Sequence, residues 1–107
     1  MIIQLPGPCD NAPIRTAPAS VWPPPHTVWA VGYQHGPTRY SAIILTDAGD
    51  HIVTLDSTDP GFLVMDVTLM GKLDATLNEK YPDGWQIRLA TPSQADNLIE
   101  TYKEKYK

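Results

Sequence analysis

A chain of 107 residues with 42% apolar residues has the size and composition of one domain with its own hydrophobic core. The 12 acidic and 8 basic residues leave a net charge of −4, which argues against a broad basic surface for binding nucleic acid. Cys9 is the only cysteine, so no internal disulfide can form. No apolar run approaches the ~20 residues of a membrane helix and no signal peptide is recognisable, so we expect a cytoplasmic protein.

The first part of the chain is rich in proline. Seven of the 11 prolines precede His26, so residues 1–26 are predicted to form an extended arm, the proline-rich arm. Proline excludes a regular helix or a central strand, although Ile2 and Ile3 could add an edge strand to a sheet. Trp22 precedes three prolines, which is typical either of a ligand for an aromatic groove or of an anchor that holds the arm on its own domain. The anchor is favoured, since an exposed tryptophan is uncommon.

Residues 27–107 are predicted to form a compact α+β domain that begins with three strands. Residues 28–34 are rich in β-branched and aromatic side chains, and a Gly-Pro pair follows them. Residues 39–46 include a continuous apolar run, as expected for a strand buried on both faces. Residues 51–55 follow after a short turn. Short turns between consecutive strands predict an antiparallel meander.

A helix, a fourth strand and a last helix are predicted next. Asp59 and Pro60 are typical of an N-cap and a first helical position. The apolar residues that follow at helical spacing form one face: Phe62, Met65, Leu69, Leu73 and Leu77. Residues 85–89 alternate between apolar and polar, which predicts a strand. Thr91 then begins a capping-box sequence and a second amphipathic helix that continues to the carboxyl end.

The acidic residues are the candidates for catalysis. Asp47, Asp50 and Asp56 fall at strand ends and turns, where aspartate commonly forms turns and caps but could also contribute to a divalent-metal site. Asp66 lies inside the apolar face of the first predicted helix. It either reaches solvent and gains from the helix dipole, or it holds a metal ion or an arginine such as Arg39 or Arg88. The three histidines have no zinc spacing, no nucleophile motif is present, and we expect no cofactor or bound metal.

The candidates for binding a partner are aromatic: Trp22, Trp29, Tyr33, Tyr102 and Tyr106. Two of them lie in the last predicted helix and two in the first predicted strand. We expect a protein partner, because the acidic balance makes nucleic acid a poor direct ligand.

The order three strands, helix, strand, helix in residues 27–107 resembles the ribonuclease H-like fold. Val31 stands in Ala-Val-Gly-Tyr, where the family often has Thr-Asp-Gly-Ser. Pro92 stands in Thr-Pro-Ser, where the family often has Thr-Asp-Ser. Met65 or Asp66 falls near the position of the family's helical glutamate. The chain ends after the second helix, so the resemblance implies a shortened relative that lacks the fifth strand.

The resemblance also implies the loss of catalysis. The family's nuclease reaction uses two metal ions held by several carboxylates, and here Asp66 alone could remain from that set. We therefore predict a non-catalytic protein that binds a macromolecule, such as a small phage or mobile-element inhibitor of a host defence protein.

Two alternatives remain open from the sequence. The first is a metal-dependent nuclease whose reduced site uses Asp66 with Asp47, Asp50 or Asp56. The second is a structural domain that associates with itself as a homodimer, either through an exposed strand edge or through the two tyrosines near its carboxyl end.

Overall fold

The computed structural model describes residues 1–6, 13–17 and 22–106, and these form an α+β structure. The strands are β1 (Ile2–Ile3), β2 (Pro13–Thr16), β3 (Thr27–Gly36), β4 (Arg39–Thr46), β5 (His51–Ser57) and β6 (Gln86–Leu89). The helices are α1 (Phe62–Met65), α2 (Val67–Lys80) and α3 (Pro92–Lys105). The predicted α+β class is confirmed. None of the described helices is long and apolar enough to cross a membrane.

All six strands belong to one mixed sheet built around β3. The strands pair in the order β2-β6-β3-β4-β5. β3, β4 and β5 pair antiparallel in succession, whereas β6 runs parallel to the first half of β3. β1 pairs antiparallel with the second half of β3, beside β6. β2 and β5 are therefore the two end strands of this five-strand path, and within the described residues the two-residue β1 pairs with β3 alone.

The described parts of the proline-rich arm lie on the sheet. Ile2 and Ile3 form the edge pairing with β3 that the sequence allowed, and β2 pairs antiparallel with β6. Gly32 shows how closely β1 approaches, because a Cβ there would come within 2.6 Å of the Ile3 carbonyl oxygen and of Leu5 Cγ. Leu5 is itself buried. Residues 7–12 and 18–21, which include Cys9, lie outside the described residues.

The sheet separates two hydrophobic clusters. The cluster on the side of α1 and α2, the α2 face, contains the largest fully buried side chains, among them Trp85, Phe62 and Leu77. The cluster on the side of α3, the α3 face, is smaller and is centred on Val31 and Leu45. Successive side chains of a strand point to opposite faces, so β3 and β4 contribute to both clusters.

The first predicted helix is interrupted, which corrects the prediction of one helix beginning at Asp59. Asp59 instead accepts a hydrogen bond from the Gly61 amide at 2.8 Å, in the turn before α1. Asp66 has an extended backbone conformation between α1 and α2, and its carboxylate accepts the Leu69 amide at 3.0 Å as the N-cap of α2. A carboxylate satisfies an unpaired amide at a helix start, so aspartate favours this position over a helix interior. As a result Met65 is 60% exposed and does not lie on the buried face.

The last helix begins as its sequence predicts. Thr91 Oγ1 accepts the Gln94 amide at 3.3 Å, and the Gln94 side chain accepts the Thr91 amide at 3.0 Å. This reciprocal capping box satisfies two amides that the helix leaves unpaired. At the other end Lys105 Nζ lies 2.6 Å from Asp50, so the last turn of α3 is fastened to the turn between β4 and β5.

Candidate functional site

Four of the five aromatic residues predicted for binding lie on the α3 face. Trp29 and Tyr102 pack against the cluster on that face. Tyr102, on α3, and Tyr106, the C-cap residue that follows α3, have ring centroids 4.9 Å apart. Tyr33, on β3, lines the same open groove as Tyr102. Trp22 is 64% exposed and does not line that groove. The reason for favouring an anchor, that an exposed tryptophan is uncommon, therefore does not hold for Trp22, and its role stays a prediction.

The groove lies where α3 leaves the end of the sheet uncovered. Its floor consists of Tyr33 and Ile43, from adjacent strands, and its wall consists of Ile99, Tyr102 and Lys103 of α3. The space between them has a volume of about 520 Å³. We call it the α3 groove; the remaining lining residues are Met1, Ile2 and His35.

The chemical character of the α3 groove is apolar with a polar rim. Ile43 and Ile99 supply aliphatic surface, while the tyrosines present aromatic rings that carry hydroxyl groups. Lys103 is exposed and forms no ion pair within residues 1–6, 13–17 and 22–106. An apolar floor beside an ammonium group that has no ion-pair partner among the described residues suits a ligand that combines an apolar side chain with a carboxylate.

A chain of three polar side chains lies at one end of the groove. Ser41 donates a hydrogen bond to Asp56 Oδ1 at 2.5 Å, and His35 Nε2 lies 2.8 Å from Ser41 Oγ. The pairing of Ser41 with Asp56 across β4 and β5 places the serine beside the carboxylate. Because the single serine proton points to Asp56, His35 acts as the donor toward Ser41.

The chain His35–Ser41–Asp56 is not a catalytic triad. In a triad the histidine lies between the serine and the carboxylate and removes the serine proton. Here the serine occupies the middle position, and Ser41 is only 1% exposed, so a substrate cannot reach its hydroxyl group. The arrangement holds His35 at the rim of the groove and connects three strands.

No three of the aspartates proposed for a metal site converge among the described residues. Asp47 is exposed in the turn after β4, and Asp50 is paired with Lys105. Asp56 accepts from Ser41, and Asp66 caps α2. Within the described ranges no three histidine, cysteine, aspartate or glutamate side chains form a group that could hold a metal ion.

The charged pairs outside the groove have structural explanations. The hydrogen bond from Lys105, opposed by a little desolvation, lowers the pKa of the Asp50 carboxyl. Arg15 donates two hydrogen bonds to Asp74, at 2.7 and 2.6 Å, which fastens β2 to α2 and raises the pKa of the arginine. Both pairs join elements that are distant in the sequence, as expected for contacts that fix the positions of outer elements.

Of the residues that line the groove, only Tyr33 and Tyr102 were candidates from the sequence. His35 follows the predicted strand of residues 28–34, but it belongs to β3, at the register shift between Gln34 and Gly36. Lys103 lies in the last predicted helix and was not a candidate. Its i, i+4 relation to Ile99 on α3 placed it beside the apolar face, and this was the signal available.

Comparison with protein-family models, with curated proteins and with solved structures finds no match to this chain. The geometry of the groove and of the charged groups is therefore the basis for a functional assignment.

Proposed function

We propose that this chain is a non-catalytic binding protein that holds a peptide segment of another protein in the α3 groove. The observation that carries the proposal is the convergence of Tyr33, from the sheet, with Tyr102 and Lys103, from α3, around one open apolar groove. Aromatic residues are enriched at protein interfaces because they supply a large apolar area with a polar tip.

The occupant follows from the chemistry of the groove. An apolar side chain would lie on Ile43 and against Ile99, where it removes apolar surface from water. A neighbouring aspartate or glutamate would pair with Lys103, whose charge has no partner among the described residues. The ligand class is therefore an acidic peptide segment with a central apolar residue.

The dispersal of the polar groups supports binding over catalysis. A two-metal nuclease needs several carboxylates around one point. Asp50 and Asp66 are instead engaged with Lys105 and with the amide of Leu69. The buried Ser41 offers no nucleophile to a ligand in the groove.

The scaffold is also part of the proposal. The order of elements from β3 onward, with β6 parallel to β3 and α3 packed on one face, is the basis for proposing a ribonuclease H-like scaffold without its carboxylates. On such a scaffold Val31 and Pro92 occupy positions at which the family often has aspartate. An inhibitor of a host defence protein is one kind of binder that would use a groove of this chemistry.

The test selects peptides from a random phage-displayed library on the full chain and measures their affinity by isothermal titration. We expect the selected sequences to share an apolar residue beside an acid. Tyr102→Ala and Lys103→Glu should each weaken binding by about tenfold or more, since each removes a contact or reverses a charge at the centre of the groove.

Lys72→Glu is the matched control, because Lys72 is an exposed helical lysine on α2 and does not line the α3 groove. It should leave the affinity unchanged. Selection of no peptide, or of peptides whose affinity is the same for Tyr102→Ala, Lys103→Glu and the unaltered protein, would overturn the proposal.

A further inference from the structure

β2 and β5, the end strands of the five-strand path, differ in how well they are protected from pairing with another chain. An outer strand presents unpaired backbone amides and carbonyls on its free side. β2 has four residues, contains Pro13, is interrupted by a register shift, and has its Arg15 side chain held by Asp74. These are features with which proteins block edge pairing.

β5 lacks this protection. It has seven residues without proline or lysine, and within the described part of the chain it pairs with β4 alone. Its one register shift lies at the amino end, near His51, so residues 53–57 continue regularly. Valine, threonine and leucine in this segment favour an extended conformation or pack well on a sheet.

Exposed apolar side chains lie next to this strand. Met65 is 60% exposed and Val67 is 80% exposed. Both line an open cleft of about 360 Å³ together with Ser57, the last residue of β5, and Phe62. A strand added beside β5 would extend the sheet alongside this cleft and would bring apolar surface close to Met65 and Val67.

The sequence of β5 is complementary to itself in one antiparallel register. With a two-fold axis at Leu55, each Thr54 faces Asp56 of the other strand, and each Val53 faces Ser57. An axis at Asp56 would place two carboxylates opposite each other, which is unfavourable. An axis at Thr54 would pair Asp56 with Ile52, at the irregular end of the strand.

The hydrogen bonding of Thr54 is compatible with the register centred on Leu55. His51 Nε2 lies 2.8 Å from Thr54 Oγ1. When the histidine donates this bond, the threonine proton is available to an acceptor on another chain. The Asp56 carboxylate, which accepts from Ser41 through Oδ1, has a second oxygen for that proton.

We propose that two copies of this chain pair through β5 in an antiparallel register centred on Leu55, to form a continuous sheet across a two-fold axis. The partner is a second copy, because the same strand supplies both members of each Thr54–Asp56 pair, as a two-fold interface requires. This interface lies at the edge of the sheet and is separate from the α3 groove, which stays open on the face of the sheet.

Sedimentation velocity over a concentration series tests the proposal with a pair of charge variants of the exposed Thr54. Thr54→Asp places a like charge opposite Asp56 in both symmetry-related pairs and should weaken the dimer by about tenfold. Thr54→Lys places an opposite charge there and should preserve the dimer, with an affinity that falls as salt is added. Circular dichroism checks that both variants fold.

The control is Lys103→Glu, which alters the α3 groove at an exposed residue of α3 and should leave the dimer unchanged, so failure of the groove proposal and of the dimer proposal are distinguishable. A monomeric unaltered protein up to about 1 mM overturns the dimer. Equal dissociation by both Thr54 variants, or no effect of either, overturns the register centred on Leu55.

Discussion

The two faces of the sheet are covered to different extents. On the α2 face Phe62, Leu77 and Trp85 are fully buried, and the Trp85 indole donates to Asn78 at 2.8 Å. On the α3 face a single helix crosses the sheet and leaves Tyr33 and Tyr102 partly exposed. We therefore expect the α2 face to supply most of the stability, whereas the α3 face leaves aromatic surface exposed in the groove that we propose as a binding site.

The largest expected effect is on the α2 face. Leu77→Ala removes a fully buried side chain from the larger cluster and leaves a cavity. We expect the free energy of unfolding to fall by about 2–5 kcal/mol, as measured by urea denaturation. A loss below about 1 kcal/mol would mean that this face is more loosely packed than its burial indicates.

A smaller effect on stability is expected on the α3 face. Tyr102→Ala removes a partly buried ring that packs beside His51 and Tyr106. We expect a loss of about 1–2 kcal/mol in the same urea experiment, because only part of the ring leaves a protected environment. If Tyr102→Ala lowered the free energy of unfolding as much as Leu77→Ala, the two faces would contribute equally to stability. That result would contradict the difference between the faces.

The next smaller loss of stability is expected at the N-cap of α2. Asp66→Ala removes the acceptor for the Leu69 amide and should cost about 1 kcal/mol. Asp66→Asn should stay within a few tenths of a kcal/mol of the unaltered protein, because asparagine caps a helix about as well as aspartate. A loss of several kcal/mol with Asn would instead reveal that the negative charge itself is required.

The smallest effect concerns pH. Lys105 holds the pKa of Asp50 below its ordinary value of 3.8, so the pair stabilises the folded state above that pH. This contribution is lost as the pH falls through the lowered pKa. Lys105→Gln should therefore be slightly less stable than the unaltered protein at pH 6, and the difference should shrink on acidification below about pH 4. Lys72→Gln, measured in the same urea series, should show no such change.

The strands from β3 onward and the last helix were largely predictable from local pattern, whereas β2, within the proline-rich arm, was not predicted as a strand. Apolar runs and alternation located β3, β4 and β6, and the Thr91 sequence identified the start of α3. The interruption at Asp66 was missed because a helical apolar face can continue past a residue that prefers to cap. At that position the carboxylate-to-amide hydrogen bond outweighs helix periodicity.

The sequence predicted some residues of the α3 groove but did not predict that they would lie together. Tyr33 and Tyr102 were identified as binding candidates, but nothing local relates two residues that are so far apart in the chain. Their proximity depends on how α3 crosses the sheet, which is set by Ile99 packing on the α3 face and by Lys105 binding Asp50. His35 enters the site through its contact with Ser41, next to an irregularity in β3.

The sequence by itself determined the α+β class, the places where prolines and turns end each strand, and the capping of α3, because these depend on interactions within a few residues. The tertiary structure alone decided that β6 lies parallel to β3, that the aspartates are dispersed, and that aromatic side chains from β3 and α3 surround one groove. The physical reason is that pairing and packing join residues distant in the chain, and their energies depend on a fit that no local pattern records.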